Sequence, residues 1–247
     1  TVDAEKSLIL TVGNDASVDT ITVGTNLTAD VEGNFTVITK ADVTGDAIIT
    51  VTKDIDAKEI EIGGTADIDG VNVEVETLTI TGTAEIDATG SMTATTATLK
   101  DDADVNVGTD FTGTTVDADS NLILTVGGNE VITNLTVEET FTNKVTGNST
   151  ITNGTVNGDM ISNVDGDASV DTLTVGGKLE TTVGGNFTVT TKADVTGDAS
   201  CIVEKVDFAL VINTDNISED ELNFFEEFYK GFDGCTETII LTGANST

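Results

Sequence analysis

From Leu8 onward the chain alternates apolar and polar residues in short bursts separated by Gly, Asn and Asp, and the bursts recur with a period of 19. The segment DASVDTITVGTNLTADVEGNFTVITKADVTGDA at 15–47 returns at 167–199 with 25 of 33 positions identical, an offset of 167 − 15 = 152, or 8 × 19. LILTVG at 8–13 returns at 122–127, an offset of 114 or 6 × 19, and Phe35, Phe111 and Phe187 stand 76 or 4 × 19 apart. Such self-similarity is the signature of a solenoid. Cutting on the period gives ten units that begin at Leu8, Leu27, Ala47, Ala66, Ala84, Ala103, Leu122, Phe141, Met160 and Leu179. The fifth position of these units is Val in eight cases, which marks a buried column.

Positions 1, 3 and 5, then 9 and 11, then 14 and 16 are mainly apolar, so each unit predicts three short alternating strands joined by turns. Glycine sits at position 7 in six units (Gly33, Gly90, Gly128, Gly147, Gly166 and Gly185), and position 8 is almost always Asp, Asn or Ser, from Asp15 to Asn186. A polar column at a corner can hydrogen-bond the turn backbone from one level to the next. With no helical pattern available as a crossover, the expected fold is all-β: a parallel β-helix of ten to eleven three-strand rungs, rising about 4.8 Å per rung to a rod about 50 Å long. One unit of 20 residues (27–46) and one of 18 (66–83) are expected to be absorbed in the turns.

The texture changes near residue 200. Ala199, Cys201 and Val203 begin an eleventh rung; VDFALVIN (206–213) then predicts a strand, SEDELNFFEEFYKGF (218–232) an amphipathic helix opened by a Ser218/Glu221 capping box, and CTETIILTG (235–243) a last strand. This divides the chain into a solenoid, 1–200, and a small β-α-β cap, 201–247. Residues 1–7 offer no comparable cover, which leaves an open strand edge. The chain opens at Thr1 without an initiator Met, which points to a processed exported product or to a fragment. In an exported chain the cysteine pair, Cys201 and Cys235, favours a disulfide over two buried thiols, and the bridge would staple cap to rod with about 3–4 kcal/mol by the loop-closure argument.

Composition narrows the chemistry. The 247 residues contain 44 acidic and 10 basic side chains, a formal charge of −34, with no His, Trp, Pro, Arg or Gln. The commonest general base and the bidentate phosphate fork are missing. Nucleic acid needs a cationic track and is excluded as a partner. The apolar runs are too short for a transmembrane helix, so membrane insertion is not expected.

Rungs of the type LTVGGNxTVTxxxDVTG resemble the parallel β-helix repeats of bacterial surface and filament proteins, such as filamentous-haemagglutinin-like adhesins and polymer-forming bactofilins, over residues 8–200. The resemblance implies surface display or end-to-end assembly and brings no catalytic residues with it. Carbohydrate-cleaving β-helices were the natural enzymatic comparison for Asn213–Asp215 (NTD) and the pair Asp101/Asp102. Here the DD precedes the NTD, and the accompanying His and Arg do not exist, so no enzyme is expected.

Acidic clusters at 101–104, 117–120, 165–167 and 214–221 carry hard oxygen ligands of the kind Ca²⁺ takes, without EF-hand or nonapeptide spacing. No cofactor is expected beyond a structural Ca²⁺. TxT pairs at Thr93/Thr95, Thr112/Thr114, Thr150/Thr152 and Thr188/Thr190 resemble those of ice-binding solenoids, although other units interrupt them. N-glycosylation sequons occur at Asn26, Asn34, Asn134, Asn148, Asn153, Asn186, Asn216 and Asn245. Taken together, the expectation is an extracellular, cell-surface structural protein, without enzymatic activity, that assembles head to tail with itself. An adhesin or binding stalk is the alternative.

Overall fold

A computed structural model describes residues 1–203, 208–213 and 237–242. Strands account for every regular element among them. Eleven strands form one parallel sheet: β1 (Val2–Ala4), β3 (Ala16–Val23), β5 (Phe35–Val43), β7 (Ile55–Ile62), β9 (Val73–Ile80), β11 (Met92–Leu99), β13 (Phe111–Ala118), β15 (Glu130–Val137), β17 (Ser149–Val156), β19 (Ala168–Val175) and β21 (Phe187–Val195). Eleven shorter strands form the other: β2 (Leu8–Val12), β4 (Leu27–Val31), β6 (Ala47–Val51), β8 (Ala66–Gly70), β10 (Ala84–Ala88), β12 (Ala103–Val107), β14 (Leu122–Val126), β16 (Phe141–Val145), β18 (Met160–Val164), β20 (Leu179–Val183) and β22 (Ala199–Val203). The chain thus winds as a parallel β-solenoid, one short and one long strand to each coil.

Register follows the sequence period. Ala84 lies on Ala103, Ala103 on Leu122, Leu122 on Phe141 and Phe141 on Met160, each residue above its counterpart in the next coil. The apolar columns therefore face a shared interior, and the valines of position 5 are buried from Val31 to Val203. The two strands expected at positions 9–11 and 14–16 are joined into one. In β11, for example, Met92 and Ala94 face inward, Thr95 and Thr96 both face outward, and Ala97 and Leu99 face inward again. The pair of outward residues makes the bend, and Thr95 drops out of the cross-coil register there.

The same bend explains where the insertion goes. The extra residue of unit 27–46 lies inside β5, where the register slips between Val18 and Thr20 of β3, and not in a turn as the sequence suggests. A second slip in β21 has the same form. At the bend two consecutive side chains already point to solvent, so one more residue leaves the buried columns in step. The 18-residue unit does lose its residue in a corner: only Val71 and Asn72 separate β8 from β9, whereas three residues separate β12 from β13.

The solenoid runs on to Val203 in β22, three residues past the expected boundary at 200. Two strands of the expected cap are present, β23 (Phe208–Asn213) and β24 (Glu237–Thr242), and they pair in parallel. The expected helix at 218–232 lies outside the described residues.

Phe141 is fully buried in β16. The substitution Phe141→Ala is expected to cost about 3–5 kcal/mol through lost transfer energy and the cavity left behind. Equilibrium urea unfolding of the variant against the parent measures it.

Candidate functional site

The polar side chains with the most regular surroundings line the two corners. At the first, the position-8 Asp or Asn side chain accepts a hydrogen bond from the backbone N–H of the same position one coil on: Asn34 onto Asp15 Oδ1 at 2.8 Å, Asn129 onto Asp110 Oδ1 at 2.7 Å, Asn148 onto Asn129 Oδ1 at 3.1 Å, Asp167 onto Asn148 Oδ1 at 2.8 Å and Asn186 onto Asp167 Oδ1 at 2.7 Å. In the short coil Asn72 takes this place, receiving Ser91 N–H at 3.0 Å and donating to Asp54 Oδ1 at 2.8 Å. Asp and Asn suit the post because their short, stiff side chains hold an acceptor oxygen close to the turn, within reach of backbone N–H groups.

A second ladder, which the sequence reading missed, follows the long strands. Asp46 N–H donates to Asn26 Oδ1 at 3.2 Å, Thr65 N–H to Asp46 Oδ1 at 2.9 Å, Asn121 N–H to Asp102 Oδ1 at 3.2 Å, Thr140 N–H to Asn121 Oδ1 at 3.1 Å and Lys178 N–H to Asp159 Oδ1 at 2.7 Å. Its signal is the residue just before each position 1. Thr and Lys dilute that column, so it lacks the uniformity of the first.

The glycines answer to these ladders. A Cβ on Gly128 would stand 2.6 Å from Asp110 Oδ1 and 2.7 Å from the Thr109 carbonyl oxygen. Gly128 N–H in turn donates to that carbonyl at 2.6 Å. Glycine and Asx are thus one device: the side-chain oxygen of one coil fills the space that a side chain on the next would need.

The expected site residues take their places on this frame. Asn26, Asn34, Asn148 and Asn186 belong to the corner ladders, whereas Asn134 and Asn153 stand outward on the bend, Asn153 Nδ2 donating to Asn134 Oδ1 at 3.0 Å. Asp102 is a ladder member, accepting also from Ser120 at 2.7 Å, and these hydrogen bonds hold its carboxyl below the usual range. The TxT threonines face outward on the long strands, but Val131 separates Thr112 from Thr150, and Ser169 separates Thr150 from Thr188. Cys201 is buried in β22. Cys235, Asn216, Asn245, Asp215 and the acidic cluster 214–221 lie outside the described residues.

Carboxylates concentrate on the outer face of the short-strand sheet. Asp67, Glu85 and Asp104 lie directly opposite one another on β8, β10 and β12, and Asp69 lies opposite Asp87. A shallow groove follows this face past Asp46 and Asp102, with Ile48 and Ile123 toward its ends. Partial burial, then the charges of Asp67 and Asp87, raise the Asp69 carboxyl. Like charges stacked in register oppose the sheet. Among the described residues, no three His, Cys, Asp or Glu side chains converge as a metal site.

Lysine compensates in places. Lys40, delivered by the insertion in β5, pairs with Glu61, with Glu59 at 3.1 Å and with Asp42 at 3.8 Å, and its hydrogen bonds to Glu61 and Glu59 push its ammonium pKa up. Lys100 meets Asp119 at 2.9 Å and Lys178 meets Glu180 at 2.6 Å.

No protein-family model, curated protein or solved structure matches the chain.

Asp110→Ala removes one acceptor of the first ladder and leaves the Asn129 N–H without its partner; the expected cost is about 1 kcal/mol, with faster amide hydrogen exchange at Asn129 than at Asn186. Lys40→Ala, at a half-buried surface site, is expected to change stability by less than about 1 kcal/mol, and the difference should shrink as salt is added. Urea unfolding at low and high NaCl checks the second.

Proposed function

We propose that this chain is a structural module of the cell exterior, a β-solenoid rod whose copies stack end to end into a filament, sheath or surface layer. The observation that carries this reading is how the polar side chains are used. Asx oxygens at both corners are committed to the backbone of the next coil, so the sequence's regularity serves coil-to-coil stacking rather than the enclosure of a substrate. Such stacking extends naturally from one copy to the next, because a coil recognises its neighbour by backbone register and corner chemistry alone. Among the described strands, β1 and β2 stand at the sheet edges, with Leu8, Leu10 and Val12 only partly buried although their columns are buried deeper in the rod.

The charge sets the conditions. A rod carrying a formal charge of −34 repels its own copies over roughly the Debye length, about 10 Å at 0.1 M salt. Cations that neutralise the stacked carboxylates on β8, β10 and β12 would lower that barrier, with Ca²⁺ the natural oxygen-seeking ion.

An adhesin or binding stalk is the second reading. It is favoured by the groove on the short-strand face, where Ile48 and Ile123 flank carboxylates that could hold a cationic partner.

Purified protein at micromolar concentration, followed by light scattering and negative-stain electron microscopy, is expected to form rods that lengthen as NaCl or CaCl₂ is raised. Particles that stay single at every salt and Ca²⁺ concentration would sink the assembly reading. Saturable binding of a soluble ligand by such single particles would favour the stalk.

A further inference from the structure

The interior of the rod changes character at its seventh coil. In the column of position 3 the residues run Leu10, Ala29, Ile49, Ile68, Ile86, Val105 and Leu124, then turn to Asn143, Ser162 and Thr181. Facing Asn143, position 9 of the seventh coil is Glu130. Both side chains are fully buried, at 0% exposure.

Their hydrogen bonds are unequal. Glu130 Oε2 accepts from Asn143 Nδ2 at 2.8 Å and from the Ser149 hydroxyl, which together satisfy both of its lone pairs. Glu130 Oε1 and Asn143 Oδ1 have no partner. Both orphans are acceptors, and an ionised carboxylate offers no hydrogen to either. An unpaired carboxylate in an apolar interior would be one of the most expensive groups in the molecule.

We propose that Glu130 is a neutral carboxylic acid in the folded rod, donating Oε1–H to Asn143 Oδ1 and so closing a two-bond acid–amide ring with the Asn143 Nδ2–H to Glu130 Oε2 bond. One proton, placed on Oε1, converts an orphan acceptor into a donor and supplies the other orphan's missing partner. No second ion is required. The elements packed around Glu130 supply no countercharge: β14, β17 and β18 contain no ionisable residue, and the single ones on β13 and β16, Asp117 and Lys144, sit on the solvent side of their strands. Burial accordingly pushes the carboxyl up from its ordinary range, against the smaller opposing effects of Ser149 and Asn143.

Folding of this stretch then takes up a proton that the unfolded chain has released at neutral pH. Because the folded pKa lies above the unfolded one, the contribution of Glu130 is fully present below the unfolded value. It is lost as the pH rises toward the folded value. The rod therefore carries an acid-favoured section around coils seven to nine, next to coils whose described interior holds no ionisable side chain.

Glu130→Gln tests this, since a Gln amide mimics the protonated acid and cannot titrate. Urea unfolding of both full-length proteins from pH 4 to pH 8 is expected to show the parent losing about tenfold in folding constant per pH unit relative to the variant once the pH passes the ordinary Glu range. The carboxylates outside cancel in that difference. Independently, the infrared spectrum of the folded parent at pH 8 should retain a carboxylic-acid carbonyl band, although the exposed acids have ionised, and Glu130→Gln should lack it. A parent without that band, or pH profiles that run parallel, would overturn the proposal. So would a variant that is the weaker protein at neutral pH, the mark of an ionised Glu130 held by a bound cation.

Discussion

Everything in this molecule depends on stacking like upon like in register. A parallel ladder between successive coils exists only if each residue meets its counterpart one period later, and that requirement reaches every level of the sequence. It forbids proline along the strands, because each level must donate its hydrogen bonds. It turns the interior into columns, so that Val31, Val51 and Val107 share one environment. It also sends any change of length to the few places where a residue can be gained or lost without shifting a column. The bend of β5 and the shortened corner before β9 are two such places, and they differ for a reason. A bend with two outward side chains has room to bulge, whereas a corner filled by a ladder oxygen can only contract.

That constraint is also why so much could be read from the chain. A period of 19 with an apolar first position, valine at the fifth and Asx at the eighth defines inside, outside and corner at once, and the described coils follow it from Leu8 to Val203. What escaped reading is what periodicity averages away. The second corner ladder mixes Asn26, Asp46, Thr65 and Asp102, four residues with one role, because a hydroxyl or a lysine backbone can stand in for part of it. The fusion of two predicted strands at Thr95 and Thr96 depends on a backbone angle for which two adjacent polar residues are an ambiguous sign. Glu130 escaped the sequence reading altogether, because its meaning depends on Asn143, thirteen residues on and across the interior. The candidate site was less legible than the fold. Sequons and acidic clusters are abundant in any chain this rich in Asn, Asp and Thr, and only the coordinates separate Asn34, spent on a corner, from Asn134, standing on the surface.

Polarity is distributed in two opposite ways. Outside, carboxylates such as Asp67, Glu85 and Asp104 are stacked on one another in register; inside, the one buried acid among the described residues gains its partners by losing its charge. The two answer to different conditions, by different physics. The outer face responds to salt, which screens a repulsion spread over many groups. The interior responds through a single proton at a fixed atom, shielded from the ionic atmosphere. Salt and pH therefore act as separable controls on this rod.

The corner ladders have one further property. In the backbone sheets, donors and acceptors point both up and down the axis, but each Asx oxygen accepts only from the coil that follows it: Asp15 from Asn34, Asp110 from Asn129, Asp167 from Asn186. The solenoid is in this sense vectorial. A coil placed after a ladder residue meets that residue's acceptor, whereas a coil placed before it must bring the acceptor with it. Two faces of a coil that are chemically unequal give the solenoid a direction along its axis.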